Sequence, residues 1–387
     1  MEQLYERAKC AMNTVAHINP CFQTSALSEL QSDAITKLRS ELNSSHFTLP
    51  EASKYLSKCK YVTTVQYVGP SRDCKRPLVT CHVLTKTTKF GDMPPRLLLK
   101  KVIRRIVATI GLFDIKKRFV FWLVPCPSIR SFPSRGMVMP RHINGGFTYI
   151  NAGVPEVNGV TEVPEVNGVT EVPEVNGVTE VPEVPEVNGV TEVPEVPEVP
   201  EVPEVNVYIY RLEEFPKVML HETLHHSRID THAAWSLMEI DALKSHFGIH
   251  HSTIFLPNEA VVEAWAVLMH TAYIALEFRL PFDVLWQREL EWSRLQAARL
   301  LAYQHRKSRS HLWKEDTNSY CYIVLKALLL QHVNELVAAS VATNTASASI
   351  IKTCVMKVLL AMSTSTMKKE ATTPHNVTMR LTVFGSM

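Results

Sequence analysis

The chain has 387 residues, 46% of them hydrophobic and 20% charged, which suits one large or two modest folded domains and excludes a wholly disordered or fibrous protein. The amino-terminal stretch lacks the unbroken apolar segment of a signal peptide, and no run of about 18 apolar residues follows it. The sequence therefore predicts an intracellular, cytoplasmic protein with no membrane span.

The formal charge of +3 hides a split. Residues 154–205 carry thirteen Glu and no Lys or Arg; without them 41 basic residues face 25 acidic ones, a balance of +16. Such an excess raises the question of a nucleic-acid partner, with Lys100, Lys101, Arg104 and Arg105 as one cluster and Lys116, Lys117 and Arg118 as another. The first cluster alternates with Leu97, Leu98, Val102, Ile103, Ile106 and Val107, so its charges read as the wet face of an amphipathic helix and argue against that partner. The eight cysteines contain no CxxC pair, which points to free thiols in a reducing compartment rather than a disulfide frame or a zinc ribbon.

In chain order, residues 1–55 read as an amino-terminal helical region, with a helix over 24–44. Residues 61–69 and 77–85 are β-branched runs expected as strands, 95–113 as a helix, and 118–126, 145–153 and 205–211 as further strands. Between the last two lies a tandem repeat: VPEVNGVTE occurs at 154–162, 163–171, 172–180 and 184–192, with bare VPE units at 181, 193, 196, 199 and 202. Val is its only apolar residue and Pro recurs every three to nine positions, so 154–205 is expected as a disordered, acidic insertion rather than a solenoid. Long insertions between neighbouring strands cost little closure entropy. Helices are expected after Arg211 and at 231–246, 257–279, 283–306 and 318–338. Residues 340–387 form a Ser/Thr-rich carboxy-terminal segment with no clear assignment.

The chemistry-bearing string is His221-Glu222-Thr223-Leu224-His225. On a helix, residues four apart share a face, so His221 and His225 can occupy two corners of a tetrahedral Zn2+ while Glu222 sits beside the open corner as general base. Zinc lowers the pKa of water there to about 7. The same string also fits a solvated helix face. A third ligand is expected from PNEAVVEAWAVL at 257–268: Glu259 as ligand and Glu263, one turn on, as acceptor of the free N–H of a zinc-bound imidazole. The alternative is an ordinary helix start, with Asn258 as cap and Glu259 meeting the dipole. His226, His246, His250 and His251 are rival ligands; His226 is one helical step off the pair, and HFGIHH reads as a Gly turn.

HExxH followed by NExxxE resembles the gluzincin, thermolysin-like zinc metallopeptidases. The ordered set INGGFT, IYRLEEFPKVMLHETLH, NEAVVEAWA and YCYIVLKALLL is also similar to uncharacterised HExxH proteins of large DNA viruses, over about residues 95–335 without the insertion. That resemblance implies an α+β fold, a minimal gluzincin-like domain over 56–339 in which a mixed sheet with an edge strand precedes a helical half. It further implies one Zn2+ ion and a peptide or protein substrate laid along the edge strand Gly145, Gly146, Phe147, Thr148 and Tyr149. Tyr320 and Tyr322 are candidates for the donor that steadies the oxyanion. A viral protein of this kind would act in host cytoplasm or virion. The competing expectation is a non-enzymatic interaction protein that works through the acidic array, with a structural metal or none.

Overall fold

A computed structural model of the chain describes residues 1–29, 32–44, 50–69, 76–88, 94–133, 137–148, 202–307, 312–341, 348–362 and 378–385. Helix α1 (Glu2–Thr14) leads to strand β1 (Cys21–Ala26); α2 (Ser32–Ser44) and α3 (Pro50–Leu56) precede β2 (Tyr61–Tyr67) and β3 (Val79–Thr85). These three strands pair antiparallel. Parallel neighbours need a crossover, and α4 (Arg96–Leu112) supplies it between β3 and β4 (Arg118–Leu123). A single helical turn α5 (Pro140–Ile143) and β5 (Gly146–Thr148) follow, then β6 (Glu204–Ile209). The result is one mixed sheet in the order β1-β2-β3-β4-β6-β5, with β6 parallel to β4 and β5 antiparallel on its outer side. The helical half comprises α6 (Phe215–Leu224), α7 (Leu237–Phe247), α8 (Pro257–Phe278), α9 (Phe282–Lys307), a π-helical turn at Tyr320–Leu325, α10 (Lys326–Gln331), α11 (Val333–Val341) and α12 (Ala348–Ala361). The fold is α+β.

The period-2 alternation of the strands divides them between two cores. Val79, Cys81 and Val83 of β3, Phe119, Phe121 and Leu123 of β4, and Val205, Val207 and Ile209 of β6 face the larger core, which they share with α4, α6 and α8. Leu84, Trp122, Tyr208 and Tyr210 face the other side, where Leu38 and Leu42 of α2 and Leu56 of α3 cover them. The basic cluster on α4 is bound up in the fold: Lys100 donates to Asn19 Oδ1, Arg104 to the Ile18 carbonyl, and Lys101 and Arg105 meet Glu277.

Several expectations need correction. Residues 1–55 are not a separate helical region, because Cys21–Ala26 adds a strand to the sheet and interrupts the helix expected over 24–44. This strand carries no alternating apolar face; its partnership is main-chain pairing plus a Thr24–Thr63 hydroxyl hydrogen bond of 3.0 Å. The helix expected over 318–338 starts as a π-turn and bends by 87° between Gln331 and Val333. In the carboxy-terminal region, which the sequence leaves unassigned, α11 runs past residue 339, α12 packs on α10 and α11, and Met379 and Leu381 are buried in the larger core. The acidic insertion ends earlier than expected, since Glu204 and Val205 already lie in β6 and the Pro203 carbonyl accepts from Arg118 N–H. Its other repeats, and Tyr149, lie outside the described residues. Finally, α8 is long and apolar enough to span a membrane, which an unbroken-run criterion misses because Glu259 and Glu263 interrupt it; 83% of that window is buried inside the protein.

Candidate metal centre

Every residue of α6 is buried. Pro216 sits in its first turn, where a missing N–H costs nothing, and Phe215, Met219, Leu220 and Leu224 pack into the core with no exposure. The i,i+4 spacing then sets Lys217, His221 and His225 one above another on a single face. Helix α8 lies against α6 and presents Glu259 and Glu263, also four apart and both buried.

The side chains converge tightly. His221 Nε2 and His225 Nε2 are 3.0 Å apart, and Glu259 Oε2 lies 3.3 Å from the first and 3.5 Å from the second. The far nitrogens meet carboxylates: His225 Nδ1 is 2.8 Å from Asp230 Oδ2, and His221 Nδ1 is 2.9 Å from Glu263 Oε2. The first is a well-formed hydrogen bond; the second is a close contact off the ideal N–H line. Both arrangements favour the proton on Nδ1, leaving the two Nε2 lone pairs aimed at each other and at Glu259 Oε2, which has no donor. Three electron-rich atoms at such distances repel unless a cation stands between them, either a metal ion or a proton held on an Nε2, which the raised histidine pKa values also favour. The edge of a tetrahedron with about 2.0–2.1 Å metal–ligand bonds is ~3.3–3.4 Å, and the three observed separations bracket it. Among the described residues His221, His225 and Glu259 are the one group placed to hold a metal.

Charges around the centre are balanced by burial and pairing. Burial works against the Glu263 carboxylate, yet Lys217 Nζ at 2.7 and 2.8 Å, with His221, pulls its pKa down to about 2. Burial likewise opposes an imidazolium at His221 and His225, but Glu259, Glu263 and Asp230 outweigh it and raise both. Glu259 is held well below the ordinary carboxylate range, because His225 and His221 outweigh the burial. Glu222 goes the other way: burial raises it, against the pull of the two histidines.

A cleft opens beside the centre, lined by Glu222, His221, Gly145, Gly146 and Tyr322 among others. Its glycines are dictated by sterics. A Cβ on Gly146 would lie 2.6 Å from Ile209 Cδ1 and 2.9 Å from the Tyr208 carbonyl, and one on Gly145 would meet Arg130 Nη2 at 2.6 Å. Gly146, Phe147 and Thr148 form β5 at the edge of the sheet; among the described residues no strand lies on its outer side. Of the two candidate phenols, Tyr322 lines the cleft with its ring 5.8 Å from that of His221. Tyr320 does not: it is buried against Trp313, Phe247 and Phe255, so the expectation of an oxyanion role for it is corrected.

The rival histidines lie elsewhere. His226 packs edge-on to Phe119 near Thr148 Oγ1, with burial lowering its pKa to about 4. His246 meets the Met362 carbonyl, and the His250 ring lies tilted against that of His251. Asp230, Lys217, Arg130 and Leu381 escaped the sequence reading. Asp230, five residues after His225, has the clearest signal of these: an acid in the turn after the motif helix. Its other oxygen accepts from Asn258 Nδ2 at 3.3 Å, so Asn258 does not cap α8 but ties the two halves of the centre together. Comparisons with protein-family models, with curated proteins and with solved structures gave no match.

Proposed function

We propose that the protein is a zinc-dependent peptidase, an endopeptidase in which His221, His225 and Glu259 hold one Zn2+ and Glu222 acts as general base. The observation that carries this reading is the convergence of two Nε2 atoms and the donorless Glu259 Oε2 beside a cleft that also exposes a carboxylate. Three ligands with a carboxylate at the vacancy suit catalysis better than a structural site, which is closed by four protein ligands. Zinc held there supplies Lewis acidity, lowering the pKa of water toward about 7.

The chain's own groups account for the rest. Asp230 and Glu263 orient the imidazoles and fix their tautomers, and Lys217 neutralises Glu263 so that two buried carboxylates do not overcharge the centre. Glu222, raised by burial, is suited to take a proton from water near neutral pH and pass it to a leaving amine. Tyr322 is positioned as a donor to a developing oxyanion, and the Gly146–Thr148 edge offers main-chain pairing to an extended peptide.

The test is Glu222→Gln in the zinc-loaded protein. Peptide hydrolysis is expected to fall by about 10²-fold or more with metal content unchanged. Loss of zinc together with activity, or activity equal to wild type, would refute the assignment of Glu222 as base.

A further inference from the structure

A second cavity, of about 800 Å³, lies away from the metal centre and shares no lining residue with its cleft. The seating of helix α1 creates it. Leu4, Ala8 and Val15 recur at helical spacing and are buried where α1 packs on α4 and α8. The stripe one step round, Gln3, Arg7, Cys10 and Thr14, instead lines a groove. Val107, Ile110, Gly111 and Leu112 of the last turns of α4 line it as well. Tyr67 and Leu78 complete it, at the point where the end of β2 and the approach to β3 are joined by a main-chain hydrogen bond of 2.9 Å.

The groove is mostly apolar, and its charges are few. Glu6 is the acid among its lining residues, and it is already committed, since Lys9 Nζ reaches both of its carboxylate oxygens at 3.2 Å. Arg7 and His17 are the basic residues. Arg7 is half-buried, and among the described residues no carboxylate, carbonyl or ring meets its guanidinium. A planar cation with five donors and no counter-charge, set beside hydrocarbon, is an anion site next to an apolar one.

We propose that this groove binds a long-chain carboxylate, with a single hydrocarbon tail laid between α1 and α4 and its anionic head on Arg7. A volume of about 800 Å³ is in the range of sites that take a whole small molecule. The charge pattern selects among apolar ligands: a neutral hydrocarbon leaves Arg7 unpaired, and an ammonium amphiphile is repelled by it. An acidic peptide is disfavoured too, because its main-chain groups would be covered by Ala11, Val107, Ile110 and Leu112, whose side chains offer no donors or acceptors. The site stands apart from the peptidase reading, since it uses no residue of the metal centre.

The experiment is calorimetric titration of the full-length protein, as purified and after chelation, with laurate, dodecanol and dodecyltrimethylammonium below their micelle concentrations. Wild type is expected to bind one laurate per chain about tenfold or more tightly than dodecyltrimethylammonium, equally well after chelation. Each methylene added from octanoate to laurate should tighten binding by about two- to fourfold. Arg7→Gln is expected to weaken laurate by about tenfold while moving dodecanol by less than about twofold. A Cβ on Gly111 meets nothing within 4 Å, so Gly111→Phe can project into the groove, and replacing a helical glycine does not burden the fold. That variant should weaken laurate and dodecanol alike by about tenfold or more; Gly111→Leu carries the same test with a smaller side chain. Four results would overturn the proposal: no laurate bound by wild type, equal binding of all three ligands, laurate affinity unchanged in the folded Arg7 and Gly111 variants, or laurate binding lost on chelation, which would put the carboxylate on the metal instead.

Discussion

The motif helices and the carboxy-terminal segment meet at one cleft and are held there by opposite means. Helix α6 and most of α8 are buried on all sides, and their main-chain groups are satisfied internally, so side-chain packing fixes them. The segment around Leu381 has no helix to satisfy its amides and carbonyls; Glu214, Glu289, Lys326 and Gln296 do so instead. A truncation in α6 therefore costs packing that neighbours can partly recover. Removing Glu214 beneath the tail takes the counter-charge from a buried arginine and the acceptor from two buried amides at once, and this asymmetry is measurable.

The largest effect is expected from Glu214→Ala, which strands Arg130 in the interior and should destabilise the fold by about 3–5 kcal/mol. Denaturant unfolding of this variant beside Met219→Ala on α6 would sharpen the comparison. A Glu214→Ala loss below about 1 kcal/mol would show that the tail is held by packing after all. Next, Asp230→Asn should weaken zinc binding by about 10–100-fold, the usual cost of losing a partner that orients a ligand, while leaving denaturant stability of the metal-free chain close to wild type. Competition against a chelator reads the affinity; unchanged affinity would remove Asp230 from the centre. The smallest effect concerns the connection between β5 and β6. Replacing residues 150–201 by a short Gly/Ser linker should leave both fold and zinc content intact, because Thr148 and Val207 already pair across the gap. Global unfolding by circular dichroism would contradict this.

What could be seen in the sequence follows the same division. His221, His225, Glu259 and Glu263 are related by helical spacing within two short stretches, and a local period is what a sequence displays. Tyr320 and Tyr322 show the limit of that method: two residues apart on a helical turn, they point in roughly opposite directions, and only the packing against Trp313 decides which one meets His221. The polar strand Cys21–Ala26 was hidden for a different reason, since its pairing uses main-chain groups that every residue carries. Arg130, Glu214 and Leu381 were out of reach altogether. Their contacts span 84 and 167 residues and leave no local period in the chain.

The central claim is that three side chains, His221 of α6, His225 at its carboxy-terminal cap and Glu259 of α8, share a single metal ion. Its most direct test is metal content by mass spectrometry on protein purified without an affinity tag, for wild type, Glu259→Ala and Glu263→Ala. The account predicts one zinc per chain in wild type, near zero in Glu259→Ala, and weakened but detectable zinc in Glu263→Ala. Stoichiometric zinc in Glu259→Ala with none in Glu263→Ala would assign the wrong carboxylate to the metal, and a wild type that binds no zinc even after reconstitution would contradict the account outright.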